Sequence, residues 1–196
     1  AGERANLVRH LLCIDRATVA EKWRRDVPAE LPEDAFEGYL TEHGYASSTP
    51  VGDDDAVYVF FGKTGVFCFT HDGKQKWQAD VGSKTHQWGT SSSPVIYDDL
   101  LFINASVESE SLIALNRSTG KEVWRSSSSG SQGQGYCPPT IITHGGVRQL
   151  IMYKPDAVVS LDPATGKQHW SAHSANGCRG RRGHHLHGLP PRPAIQ

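Results

Sequence analysis

A tryptophan repeat constrains this chain more than any other feature. Trp23, Trp77, Trp124 and Trp170 stand 54, 47 and 46 residues apart, and each closes a similar phrase. Residues 13–23 read C-I-D-R-A-T-V-A-E-K-W, 68–77 read C-F-T-H-D-G-K-Q-K-W, 114–124 read A-L-N-R-S-T-G-K-E-V-W, and 160–170 read S-L-D-P-A-T-G-K-Q-H-W. A second phrase recurs upstream of three of them: G-Y-A-S-S-T-P-V at 44–51, G-T-S-S-S-P-V-I at 89–96 and G-Y-C-P-P-T-I at 135–141. A fixed period near 45 residues is the mark of a repeat architecture, in which each unit buries its apolar faces against its neighbours.

The chemistry of the phrases sets the secondary structure. Asp15, Asn116 or Asp162 starts a turn by bonding its own backbone, and Gly73, Gly120 or Gly166 supplies the positive φ that closes it. Apolar residues flank these turns, so each phrase reads as a hairpin with Trp on its second strand. Further strands fit at Val57–Phe61, Leu100–Ala105 and Gln149–Tyr153. Each period thus holds four short strands, giving units at 46–79, 90–125 and 138–171, with the trailing strands of an earlier unit within 7–25, at Leu7–Asp15 and Glu21–Arg25. Helix is expected only within 24–42, at Glu33–Leu40. The expected fold is all-β: an incomplete β-propeller of four-stranded antiparallel blades, about three blades plus part of a fourth, over residues 1–172. The repeated Trp is expected to seal one blade against the next.

The phrases resemble the tryptophan-docking motif of quinoprotein-like propellers, A-x-D-x-x-T-G-x-x-x-W. Residues 114–124 carry Asn116 for Asp, 160–170 carry Ser160 for Ala, 13–23 carry Val19 for Gly, and 68–77 are one residue shorter. The resemblance covers about 1–171 and implies the PQQ-like repeat fold. The family includes quinone-dependent alcohol dehydrogenases, a BamB-like outer-membrane assembly lipoprotein and propellers with no quinone. Its enzymes carry a vicinal Cys–Cys pair and a Glu, Asn and Asp around calcium and the quinone. Cys13, Cys68, Cys137 and Cys178 include no adjacent pair, and no motif places the calcium Glu or the catalytic Asp. Neither PQQ nor calcium is therefore expected, and no catalytic or metal-binding residue is assigned. The resemblance points to the non-catalytic branch, a protein- or ligand-binding scaffold in the bacterial periplasm or cell envelope. The alternatives are a piece of a PQQ-dependent alcohol dehydrogenase and an outer-membrane protein assembly factor.

Composition narrows the partners. Residues 1–172 carry a net charge of −5, the opposite of a nucleic-acid surface. No apolar run approaches the roughly 18 residues of a membrane span. The cysteines form no CxxC, which argues against zinc or redox chemistry. Gly62-Lys63-Thr64 resembles the end of a phosphate loop, but position 57 is Val where such a loop needs Gly, so a strand-to-strand turn is expected. Asn104-Ala105-Ser106 and Asn116-Arg117-Ser118 are glycosylation sequons.

Loops leading into the innermost strands of a propeller gather at one mouth of its channel. By that logic His43, Tyr45, Gln87, Trp88, Gln134 and Tyr136 converge there and suit a protein or small ligand. The long insert at 24–45 carries Asp26, Glu30, Glu33, Asp34, Glu37 and Glu42. Residues 173–196 hold four His, four Arg, four Gly and three Pro, with no strand pattern, and are expected to be a disordered or non-native tail. Such a tail cannot supply the inner strands of the first hairpin's blade. An open arc is expected, able to self-associate through its uncovered blade edges.

Overall fold

A computed structural model of the chain describes residues 3–127, 135–154 and 157–173. Among these residues fourteen strands form three four-stranded antiparallel meanders and one two-stranded hairpin. The hairpin joins β1 (Val8–Ile14) to β2 (Glu21–Pro28). The first blade holds β3 (Val51–Gly52), β4 (Val57–Phe60), β5 (Val66–Phe69) and β6 (Gln75–Ala79). The second holds β7 (Val95–Tyr97), β8 (Leu100–Ala105), β9 (Ser111–Asn116) and β10 (Glu122–Ser127). The third holds β11 (Thr140–His144), β12 (Val147–Tyr153), β13 (Ala157–Leu161) and β14 (Gln168–His173). This is the incomplete, nearly all-β propeller that the repeat demands.

Middle strands of each blade are apolar on both faces, because each face meets a different neighbour. In β4 and β5, Tyr58, Phe60, Val66 and Cys68 face the second blade and pack on Leu101, Ile103 and Ile113. The alternate residues Val59, Phe67 and Phe69, with Phe61, face the hairpin and pack on Leu11 and Val27. Phe102, Leu112 and Ala114 of the second blade face Leu150, Met152 and Val159 of the third. The two-residue strand period sends alternate residues to opposite faces. Burial in this core pushes the Cys68 thiol up to about 11.

The repeat phrase closes each junction. The indole N–H of Trp23 donates to the His71 carbonyl at 2.9 Å, that of Trp77 to Arg117 at 3.0 Å, and that of Trp124 to Pro163 at 3.0 Å. Each acceptor lies in the hairpin turn of the following blade. A Cβ on Gly120 would stand 2.6 Å from the Trp77 ring, and one on Gly166 2.6 Å from the Trp124 ring. Glycine is thus required twice there, for φ of +72° and +70° and for the approach of the ring. The turns are built alike. Asn116 Oδ1 accepts from the Thr119 N–H and hydroxyl at 3.0 and 2.9 Å, and Asp162 Oδ1 from those of Thr165 at 2.8 and 2.9 Å. Asp15 Oδ1 does the same with Thr18, and these bonds hold its carboxyl below the usual range.

Three local expectations change. The helix α1 is Leu40–His43 rather than Glu33–Leu40, because buried Leu40 anchors its start and Gly44 ends it at φ +73°. The strand expected to end at Arg25 runs on to Pro28, where Val27 reaches the core. The innermost strand of the first unit, expected at 46–51, is Val51–Gly52, so the S-S-x-P phrases precede the innermost strands. They bond to each other across blades: Ser48 Oγ donates to the Ser92 carbonyl at 2.8 Å, and the Thr49 N–H donates to Ser93 Oγ at 2.9 Å. Gly62–Thr64 is a short 3-10 turn between β4 and β5. Asn104 is buried, and its amide donates to the Gly135 and Cys137 carbonyls at 2.8 and 2.9 Å, so this sequon is closed to modification in the folded chain. The tail from 174 onward lies outside the described residues.

Candidate functional site

In an antiparallel meander, the loop after the second strand and the loop after the fourth emerge at the same pole. Four such loops line a cleft of about 420 Å³, counting the part open to solvent, at the junction of the hairpin, first blade and second blade. The insert brings Glu33, Asp34, Leu40 and Tyr45. The β4–β5 turn brings Gly62 and Lys63, the β6–β7 loop brings Lys84, Thr85, His86, Gly89 and Thr90, and the β8–β9 turn brings Glu108.

Arg9 of β1 organises the floor. It is buried, with Nη2 2.5 Å from Glu33 Oε1, Nη1 donating to Thr64 Oγ1 at 2.9 Å and Nε to the Tyr45 carbonyl at 2.8 Å. A buried ion pair needs this saturation of its donors to offset desolvation. Tyr45 extends the network by donating to the Asp34 carbonyl at 2.7 Å, and burial raises its phenol above the ordinary value. Thr85 donates to Asp34 Oδ1 at 3.0 Å. Together these contacts bind the insert to the blades.

Glu108 is the least comfortable group. It is 2% exposed, Thr90 donates to its Oε1, and its Oε2 has no hydrogen-bond partner among the described residues. Burial pushes its carboxyl up to about 7. Solvation lost to the blade junction favours the neutral acid.

An aromatic group rims the cleft. Trp88 stands 5.1 Å edge-on from Tyr39 and 5.7 Å from Tyr136, centroid to centroid. His86 Nδ1 accepts from the Trp88 N–H at 3.2 Å and from the Tyr136 hydroxyl at 2.9 Å. Burial, with the Glu108 charge adding to it, pushes the Tyr136 phenol up to about 12. His43 Nε2 donates to the Trp88 carbonyl at 3.0 Å, and its Nδ1 meets Ser47.

Of the six residues expected at the mouth, His43, Trp88 and Tyr136 share one contact network, and Tyr45 joins the cleft through Arg9. Gln87 is exposed on the Trp88 loop, and Gln134 lies outside the described residues. Sequence reasoning missed Arg9, Lys63 and Glu108. It followed only the loops leading into inner strands; the shared pole of the β4–β5 and β8–β9 turns was the signal that would have found Lys63 and Glu108, whereas Arg9, inside β1, carried none. His86 too was absent from the residues expected at the mouth, although it bonds both Trp88 and Tyr136. Among the described residues no helix is long and apolar enough to cross a membrane.

Comparison with known proteins places the fold. The family model described as outer membrane protein assembly factor BamB matches residues 9–196. No curated protein sequence matches the chain. Among solved structures, BamB from Moraxella catarrhalis aligns over 90% of this chain and 61% of its own, at 18% identity and TM-score 0.50. A europium-containing methanol dehydrogenase aligns over 86% of this chain and 38% of its own, at 13% identity and TM-score 0.58. The quinohemoprotein alcohol dehydrogenase of Comamonas testosteroni aligns over 66% and 21%, at 21% identity and TM-score 0.51. The chain therefore spans about a fifth to three-fifths of the length of these structures, and at such identities the likeness shows the fold alone. The repeat phrases, the meander blades and the match over nearly the whole chain agree: this chain belongs to the PQQ-like repeat β-propeller family of the outer membrane protein assembly factor BamB.

Proposed function

We propose that this chain is part of a non-catalytic propeller that holds a protein partner at its mouth, in the cell envelope. The observation that carries the reading is the rim: Tyr39, Trp88 and Tyr136 come from three separate loops, Trp88 meets Tyr39 edge-on and Tyr136 at a tilt, and Trp88 stays 44% and Tyr39 58% exposed. Large amphipathic rings held rigid at a surface give contact area at low entropic cost, which suits protein recognition.

The quinone and calcium of the family's dehydrogenases do not fit the residues present. Cys13, Cys68 and Cys137 sit on or beside different blades, so no two of them form the vicinal pair of those enzymes. Of the cleft carboxylates, Glu33 is engaged by Arg9, Asp34 by Thr85 and Glu108 through Oε1 by Thr90, which leaves the single buried Glu108 Oε2 without a partner among the described residues, and the cations Arg9, Lys63 and Lys84 line the same space. A divalent cation requires uncommitted oxygen ligands. Titration with quinone and calcium is expected to give no saturable absorbance change; micromolar binding overturns this part of the reading. A photo-crosslinker in place of Trp88 is expected to give one discrete protein adduct in cells. The same group in place of exposed Val123, on the outermost strand, is expected to give none. Equal labelling at both overturns the mouth as the binding surface.

A second reading is carried by the family match: the partner is a component of outer membrane protein assembly. Identification of the Trp88 adduct separates the two.

A further inference from the structure

We infer that the rim selects a basic, apolar protein segment, one that carries arginines interleaved with aromatic or aliphatic side chains. The inference rests on the binding role proposed for the mouth and adds the chemistry of the partner.

The ground is the charge and anchoring of the insert. Residues 26–50 hold six carboxylates and neither Lys nor Arg. Three carboxylates are engaged within the fold: Asp26 by His10 at 2.7 Å, Glu33 by Arg9 and Asp34 by Thr85. Glu30, Glu37 and Glu42 are exposed and form no ion pair among the described residues. The cations of neighbouring elements do not neutralise them. Arg9 is committed to Glu33, Lys84 pairs with Glu110 at 2.7 Å, and Arg4 donates to the Glu33 carbonyl at 3.0 Å. Lys63 is buried in the β4–β5 turn.

Two of these free charges bracket exposed rings. Glu37 lies in sequence between Phe36, 56% exposed, and Tyr39, 58% exposed; Glu42 lies on α1, one residue from His43, which bonds the Trp88 loop. The platform is fixed. Leu40 is 1% exposed beneath it, and a Cβ on Gly89 would stand 2.8 Å from the Leu40 side chain. Phe36 leans on Tyr45 at 5.7 Å, and Tyr45 is tied to Asp34. A fixed set of π faces flanked by uncompensated carboxylates is complementary to guanidinium groups, which stack on rings and pair with carboxylates through one planar fork. Apolar neighbours in the same segment would cover Phe36 and Trp88, whereas an acidic segment meets like charge.

The test uses the full chain and a fluorescent synthetic peptide of repeating Arg-Gly-Phe-Gly units, with a Glu-for-Arg peptide as counterpart, read by anisotropy at low and physiological salt. The arginine peptide is expected to bind at least about tenfold more tightly than its counterpart and to weaken as salt rises. The double variant Glu37→Lys/Glu42→Lys, both at exposed positions, is expected to lose about tenfold, and Tyr39→Ala a similar factor. Equal binding of the two peptides, or charge reversal without effect, overturns the inference. In that case the mouth reading still stands if Trp88→Ala abolishes binding, and falls with it if Trp88→Ala does not. No binding by either peptide overturns the inference as well.

Discussion

The junction between the second and third blades and the far side of the third blade are written in the same phrase, yet they are different surfaces. At the junction, Trp124 lies on Gly166 and donates across it to Pro163. At the far side, Trp170 stands at the equivalent position but is 43% exposed, and its indole N–H turns back to Gln149 Oε1 at 3.0 Å within its own sheet. Gln149 also accepts from buried Ser160 at 2.7 Å. The first hairpin shows the complementary case. Val19 takes the place of the glycine, at φ 60° and 76% exposed, and among the described residues no indole hydrogen-bonds to its turn. The motif is therefore half an interface: a ring and the glycine turn that receives it, carried by successive blades. It adds stability only where both halves meet.

The largest expected effect sets Trp124 against Trp170. Trp124→Ala removes a ring packed between two sheets and should cost roughly 3–5 kcal/mol in denaturant unfolding. Trp170→Ala should cost less than about 1 kcal/mol, because much of that ring is already in water. Equal losses would break the comparison by showing that the ring acts within its own blade. Gly166→Ala should cost roughly 2–3 kcal/mol, since the new Cβ meets the Trp124 ring as well as the left-handed backbone. At Gly145, with φ +56° and nothing within 4 Å of a Cβ, Ala should cost only about 1 kcal/mol.

Glu108 sharpens the same contrast at the junction of the first two blades. Its folded-state value is raised by burial from 4.5 to about 7. As pH rises from about 4.5 to 7, the unfolded chain releases this proton while the folded chain retains it. The stability this group supplies at low pH is therefore lost across that window, on the order of 3 kcal/mol, and the loss levels off above it. Glu108→Gln should flatten that slope in chemical unfolding measured against pH; an unchanged slope assigns it to other groups. The smallest effect is a gain. Val19→Gly should stabilise by about 1 kcal/mol, relieving a β-branched residue of a left-handed backbone with no ring to lose. Destabilisation would mean that the Val19 side chain makes a contact the turn depends on.

The sequence carried the blades almost whole. Period, turn chemistry and strand alternation are local or nearest-neighbour properties, and a meander adds only nearest-neighbour pairing. So the strands of the second and third units fall within or close to their expected bounds. The site was less legible. His43, Tyr45, Trp88 and Tyr136 were accessible because they follow the repeat register, but Arg9 lies within strand β1 and Lys63 and Glu108 lie in unremarkable turns. What brings them together is the shared pole of loops from adjacent blades, at sequence separations of up to about a hundred residues.

By itself the sequence determined the repeat unit, its four strands and the turn that each Asp or Asn starts, because these depend on residues within a few positions of one another. Only the tertiary structure decided which copies of the motif are engaged. Trp124 and Trp170 are equivalent as letters, and a docked indole differs from an open one only in what the neighbouring blade presents. It also decided the state of the polar groups. Glu108 and Glu42 are the same residue type, but one is 2% exposed with an orphaned oxygen and the other is open to solvent. Desolvation depends on what surrounds a side chain in space, and the order of residues along the chain does not contain that.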